Sequence, residues 1–410
     1  MKTFVIALLV LSVGAFAQGP ASGAKPKVRA ITAFVRLDRD RNQSEVADAL
    51  VVLRKAKAEF VAAGYEVETV RIVTQPLAEL VAGLTEEDAL KFLAKFNELS
   101  LKEKFAPNVG PGMMHDSDDV ATMPLMAKAL STMPNLKGSA IIADEQGIHW
   151  KTIHESAVLV KYVAEHSPHS QGTFNFAGAA MLKPLGPFFP ASYHTGAGKQ
   201  FAIGFEGANV VRDVFRKDKW NVDAATKDLT AALTVHAQVA EKIGNDVAKE
   251  SGWTYAGVDP TPAPLGDVSI AAAIEEFTGA RFGSSGTMTA ARVITTAVKA
   301  VPVKQTGYSG LMVPVMEDKL MAQRWAEGTF SVDALLAYSS VCAAGLDTVP
   351  LPGDVSVEQM ERMYADVASL AVKWSKPLSI RLQPVTGKKA GERTEYDDPN
   401  LFNTLVRPLP

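Results

Sequence analysis

Three residues combine the chemistry of proton transfer with surroundings that can tune it: His194, Glu206 and Asp347. His194 ends the run Pro187-Phe-Phe-Pro-Ala-Ser-Tyr-His194, where prolines and aromatic rings can hold an imidazole rigidly. Glu206 follows the apolar run Phe201–Phe205; Asp347 is the alternative carboxylate, at a strand end where α/β architectures gather polar groups. Carboxylates and imidazoles in such places have their pKa values pushed toward working pH, as general acid–base catalysis requires. Structural hydrogen bonding is the competing role for each. Tyr193, Tyr308 and Ser309 carry hydroxyls suited to orienting a substrate, and Glu317 and Asp318 sit where α/β architectures gather polar groups. The turn Gly283-Ser-Ser-Gly-Thr-Met-Thr289, with Ser285 and Thr287, could hold an anionic group at a helix N-terminus. A tight turn with a helix cap explains the same residues. The turn lacks the Lys of a P-loop and the spaced glycines of a dinucleotide fingerprint, so no nucleotide cofactor is expected.

A cation site has weaker support. His115, Asp116 and Asp118, with Asp119, lie in the loop-like segment Asn108–Asp119 and could make an oxygen-rich site for a hard cation such as calcium. Consecutive carboxylates in a loop are also commonly just solvated, and both readings stand. His149 and His154 are five residues apart, about 140° around a helix, which suits no single ion and reads as surface. No His-Glu-x-x-His, Cys-x-x-Cys or Gly-x-Ser-x-Gly pattern is present, so zincin, zinc-ribbon and nucleophile-elbow chemistry lack support. Cys342 is the only cysteine. It excludes an intrachain disulfide, and a small buried apolar residue is the plainer reading of it.

The elements that must position these groups alternate. Val28–Leu37 reads as a strand, Ser44–Ala63 as a helix closed by Gly64, and Tyr65–Val73 as a strand. A helix over Thr85–Glu103 precedes the loop at Asn108. Further strands are expected at Gly138–Ala143, Gly172–Met181, Phe201–Phe205, Leu311–Val315, Asp347–Leu351 and Leu378–Val385. Helices are expected at His149–Ala164 and Val222–Lys249, in a stretch capped by Asp267 and ending near Gly279, and at Thr287–Val301. Tyr255–Pro264 reads as a proline-stiffened loop, and the tail from Thr386 as a surface wrap. The pattern is α/β, with neither repeat nor linker, so residues 28–410 are read as one domain.

Ahead of that domain, Lys2 and the apolar run from Phe4 onward, with Ala15 and Ala17, have the form of a secretory signal peptide over residues 1–17. Cleavage is expected before Gln18, leaving a flexible leader over 18–27. The apolar run is shorter than the roughly 20 residues that span a bilayer. No retained membrane anchor is therefore expected, and the mature chain is read as periplasmic or secreted. The 42 basic and 45 acidic residues are spread along the chain, giving no footprint for nucleic acid.

Several blocks carry a resemblance: Asn175-Phe-Ala177, Pro187–His194, Phe201–Glu206, Thr306–Asp318, Tyr338–Asp354, Lys376-Pro-Leu378 and Pro384–Gly391. They resemble the family catalogued as DUF711, over essentially the whole chain from about Val28. The resemblance implies a single large α/β barrel like that of pyruvate formate-lyase and other glycyl radical enzymes, strands inside and helices outside. It implies no established reaction. Gly391, in Lys-Ala-Gly-Glu392, does not resemble the C-terminal glycyl radical motif, and export argues further against radical chemistry.

The inventory therefore suggests an exported, non-radical enzyme, a hydrolase or lyase, acting on a small polar substrate such as a sugar or carboxylated metabolite. His194 would serve as acid or base, with Glu206 or Asp347 as its carboxylate partner. The alternative is a periplasmic small-molecule-binding protein, although no duplicated βα pattern marks two lobes. A divalent cation and association into a homo-oligomer are both left open.

Overall fold

The computed structural model describes residues 25–409 apart from 343, so the signal-peptide reading and most of the leader lie outside the described residues. The fold is mixed α/β. Its strands are β1 (Lys27–Val35), β2 (Val67–Val73), β3 (Ala106–Pro111), β4 (Lys137–Asp144), β5 (Gly147–Ile148), β6 (Phe176–Ala180), β7 (Gly198–Glu206), β8 (Thr254–Ala263), β9 (Gly345–Pro352) and β10 (Leu378–Val385). They form one sheet in the order β8-β7-β1-β2-β3-β4-β6-β10-β9, with β5 paired to β4.

Strand direction divides this sheet. β1, β2, β3, β4 and β6 run parallel to one another. β7 joins β1 antiparallel and β10 joins β6 antiparallel, while β8 and β9 lie parallel to β7 and β10. The carboxyl ends of the central five strands therefore point opposite to those of the four outer ones. Strand pairing does not close the sheet. Residues 304–318, however, bond to both edge strands: Val258 N–H donates to Lys304 O and Thr306 N–H to Val258 O on β8, and Val315 N–H donates to Asp347 O on β9.

Helices cover the sheet because they present apolar residues at 3–4 spacing. The helix Asn42–Ala62 buries Val46, Ala49, Leu50, Leu53, Ala56 and Phe60 and packs on β1 and β2. Truncating Phe60 to Ala would cost about 3–5 kcal/mol. Caps set helix limits: Thr85 accepts from Asp88 N–H ahead of Glu86–Glu103, and Asn221 accepts from Ala224 N–H ahead of Val222–Ser251. Among the described residues, no helix is long and apolar enough to cross a membrane.

Most expected elements fall within a few residues of those observed, and four differ. The segment from Asn108 begins inside β3 rather than in a loop; the Asn108 side chain anchors it by donating to Pro190 O. Tyr255–Pro264 is strand β8, whose Pro260 and Pro262 are tolerated because β8 lies at the sheet edge. Leu311–Val315 makes no ladder and remains irregular. The helix Ile270–Thr278 is capped by Ser269, not Asp267, with help from Asp318.

Candidate functional site

Charged side chains emerge from otherwise apolar strands and meet in one cavity, with an empty volume of about 550 Å³ counted to its open mouth. Arg29 comes from β1, Arg71 from β2, Asp347 from β9, and Ser379 and Arg381 from β10; Tyr308 and Glu317 come from the 304–318 segment. Strand irregularities aim two of these groups. Arg29 is the extra residue where β1 slips against β7 between Val28 and Ala30. Asp347 and Thr348 both oppose Arg381, where the β9–β10 register shifts. Such bulges re-aim side chains and occur preferentially beside active sites. Thr348 adopts φ 49°, which is strained for a β-branched residue, and its hydroxyl accepts from Met316 N–H.

The ion pairs form a chain. Arg29 Nη1 lies 3.0 Å from Glu68 and 3.4 Å from Glu206, and its Nη2 lies 3.1 Å from Glu317. Arg381 pairs with Glu317 through Nη2 and with Asp347 through Nε. Burial pushes Glu206 up to about 8, reinforced by Glu68, against the opposing pull of Arg29. Glu68 moves the other way, lowered by Arg29 and by a hydrogen bond with Glu206 despite its own burial. Glu206 thus keeps a proton near neutral pH while Glu68 is ionised. Burial also raises Asp347, opposed by Arg381.

Arg71 is the exception in this network. It is only 8% exposed and lines the cavity, yet it joins no ion pair among the described residues. Its Nε donates to Thr69 Oγ1 at 2.8 Å and its guanidinium lies 5.0 Å from the Phe189 ring centre. Burial and repulsion from Arg29 hold it below the usual arginine range. Lys137, at the start of β4, is lowered to about 8 by burial and by Arg71 and Arg381. Among the residues that line the cavity, three arginines, Arg29, Arg71 and Arg381, face two carboxylates, Glu317 and Asp347.

The expected residues divide between this cavity and other places. Asp347, Glu317 and Tyr308 line it, and Glu206 stands behind Arg29. His194 is elsewhere: its Nε2 faces Val35 O at 2.7 Å, with its ring against Phe34 and burial lowering its pKa. Six residues of strand separate Val35 from Arg29, about 20 Å. Tyr193 donates to Leu182 O at 2.7 Å, and burial pushes it up to about 12. Ser309 gives its N–H to Asp259 and its hydroxyl to Thr306 O. Ser285 is exposed, and Thr287 Oγ1 accepts from Gly283 N–H. Asp318 caps two helices, accepting from Ser269 Oγ and from the N–H groups of Ile270, Ala271, Leu320 and Met321.

Asp116 and Asp118 spend their carboxylates on backbone donors. Asp116 accepts from Lys151 and Thr152 N–H, and Asp118 from Met114 and His115 N–H. His115 instead faces Asp144, beside His149. His149 is 6% exposed, not the surface residue its spacing from His154 suggested.

The expected inventory omitted the arginines. A signal for them exists: Arg29, Arg71 and Arg381 each interrupt an apolar strand, as in Val70-Arg-Ile-Val73. A charge in such a strand must meet a partner or a ligand.

Comparison with known proteins places the chain among uncharacterised relatives. The family model described as "Uncharacterised ACR (DUF711)" matches residues 22–397. The UPF0210 protein of Pyrobaculum aerophilum is 33% identical over 364 residues, 84% of this chain and 78% of its own length. A UPF0210 protein of Pyrobaculum arsenaticum is 32% identical over 365 residues, with the same coverage. One from Carboxydothermus hydrogenoformans is 28% identical over 358 residues, 81% of this chain and 77% of its own.

Proposed function

The chain belongs to the DUF711 family, and from that premise we propose that it binds a small substrate bearing a carboxylate or phosphate group and acts on it by acid–base chemistry. The observation that carries this reading is Arg71, a buried guanidinium that lines the cavity and makes no ion pair among the described residues. Holding such a charge out of water costs several kcal/mol unless an anion compensates it. A substrate anion in the cavity beside Arg71 would supply that compensation, and the planar guanidinium fork suits carboxylate and phosphate alike.

Asp347 and Glu317 border the same space and are the groups to exchange protons with the substrate, while Tyr308 and Ser379 orient it. Glu206 keeps its proton behind Arg29 and serves as a proton reserve shared with Glu68. The reaction class is hydrolysis or elimination by a lyase, without radical chemistry, and His194 has no part in it. A second reading, a binding protein, is favoured by the pairing of both Asp347 and Glu317 with Arg381, since carboxylate oxygens engaged by a guanidinium are less free to reach a substrate proton.

Thermal-shift screening against phosphorylated and carboxylated metabolites, followed by NMR of any hit, separates the two. Consumption of the hit supports the enzyme, unchanged recovery supports the binder, and insensitivity to every anion sinks both.

We also read the sheet as the wall of a barrel of the pyruvate formate-lyase kind, five parallel strands facing four, with residues 304–318 along the seam. The chemistry is proposed to act outside the cytoplasm, on the signal-like residues 1–17. Amino-terminal sequencing of the exported protein, expected to begin at Gln18, tests that address.

A further inference from the structure

At the opposite end of the central strands, three potential ligands converge. Asp144 ends β4, His149 follows the two-residue strand β5, and His115 follows β3. The β4–β5 hairpin pairs Ala143 with Ile148 and Asp144 with Gly147, and His149 N–H donates to Ile142 O at 2.9 Å. Asp118 fixes the third segment by accepting from the N–H groups of Met114 and His115. All three side chains thus hang from a hydrogen-bonded frame. Their ligand atoms lie within 4.8 Å of one another.

We infer that His115, Asp144 and His149 form a binding site for a divalent transition metal of the zinc class. Three observations carry this, and none depends on the arginine-lined cavity.

The first is spacing. His115 Nδ1 lies 3.4 Å from Asp144 Oδ2, and His149 Nε2 lies 3.2 Å from Asp144 Oδ1. The two contacts use different oxygens of Asp144; ligands held 2.0–2.1 Å from a tetrahedral zinc ion stand about 3.3 Å apart, a spacing that a small inward shift of atoms already within 4.8 Å would reach.

The second is the setting of His149. Its Nδ1 faces Ile141 O at 2.9 Å while its Nε2 faces the Asp144 carboxylate. A backbone carbonyl on the far nitrogen is the usual support of a metal-bound histidine, and it leaves Nε2 to share a cation with Asp144.

The third is the unused ligand. His115 Nδ1 is a buried atom with no hydrogen-bond partner among the described residues, although its side chain is 41% exposed overall. Two imidazoles with one carboxylate favour zinc, nickel or iron(II) over calcium, which prefers six or more oxygens. Solvent reaches His115 and Asp144, so a water can complete the coordination.

The test uses the full mature chain, stripped with chelator and desalted. Zinc ion alone is titrated calorimetrically, and cobalt(II) alone reports coordination through its visible absorption. The expected result is one zinc per chain, and a cobalt spectrum of four- or five-coordinate type. Asp144→Asn and His115→Gln should each weaken zinc binding at least about tenfold. His154→Gln, on an exposed histidine away from the cluster, should leave it unchanged. Circular dichroism checks that each variant is folded; if Asp144→Asn is not, His115→Gln, on a half-exposed loop side chain, decides alone. Absence of saturable zinc binding by the unaltered chain, equal binding by the ligand variants, or preference for calcium over zinc would each overturn the assignment.

Discussion

Replacing Arg71 by Met should make the ligand-free protein more stable and blind to anions. The substitution removes a guanidinium that is 8% exposed and joins no ion pair among the described residues. Its desolvation costs several kcal/mol. Against that gain stand the Nε bond to Thr69, about 1 kcal/mol, the contact with the Phe189 ring, about 1–2 kcal/mol, and the longer-range attraction of Glu317 and Glu68, themselves already paired with Arg29. Thr69 keeps its own bond to Arg29 O, so it is not orphaned. The net expectation is a gain of about 1–3 kcal/mol. With roughly 385 residues at about 2.1 cal/mol/K each, the unfolding entropy is about 0.8 kcal/mol/K, so Tm should rise by about 1–4 °C. In the unaltered protein, phosphate at about a hundred times its Kd should add about 2.7 kcal/mol, or about 3 °C. The variant should show none of that increment. Scanning fluorimetry with and without phosphate, supported by urea unfolding, measures both quantities. A variant that melts lower, or that keeps the full phosphate shift, refutes the claim that Arg71 is a charge waiting for an anion.

Three further outcomes follow from particular contacts. Glu206 is raised from 4.5 to about 8, so the folded state binds the extra proton between those values; stability should fall as pH rises from about 4.5 to 8, and Glu206→Gln should flatten that slope in urea melts at successive pH values. Gly307 has φ 71°, and a Cβ there would lie 2.3 Å from Asp259 Oδ2, the carboxylate that holds the N–H groups of Tyr308 and Ser309. Gly307→Ala should therefore cost at least about 2 kcal/mol in chemical denaturation and weaken any anion response; an unchanged midpoint would contradict the packing described. Cys342 is fully buried and its thiol is pushed up by that burial, so a thiol reagent should label the native protein only after unfolding. Rapid labelling without denaturant would reopen a chemical role for it.

Much of the secondary structure was legible because local chemistry marks it. Thr85 and Asn221 start helices where an oxygen side chain precedes an apolar period, and β10 runs from Leu378 to Val385 as its apolar content implies. Position in the sheet is not written locally. Tyr255–Pro264 looks like a loop until its place on an edge strand excuses the prolines, and Leu311–Val315 looks like a strand although its neighbours offer no ladder. The candidate site was half legible for the same reason. Glu206 stood out beside an apolar run, Asp347 and Glu317 at strand ends or turns, and Tyr308 for its hydroxyl. Bringing them together required Arg29 and Arg381, whose directions depend on register shifts that no single strand's sequence displays. His194 lies apart from them: the rigid surroundings that suit either catalysis or a structural hydrogen bond seat its ring against Phe34 and a backbone carbonyl. His115 had its ligand set drawn from adjacent aspartates, whereas Asp116 and Asp118 hold backbone donors and Asp144 arrives from the next strand.

Residues 304–318 have one more consequence, for solubility. β8 and β9 are the outermost strands of the sheet, and a bare edge presents rows of unpaired N–H and C=O groups that invite pairing with a second molecule. This irregular segment occupies part of both edges with its own bonds, yet its prolines and turns give it no regular ladder to offer in return. The stretch that delivers Tyr308 and Glu317 to the cavity is thus also a guard against aggregation. A substitution there that lowers ligand binding can do so by releasing an edge, and the mark of that event is higher-mass material on size-exclusion chromatography.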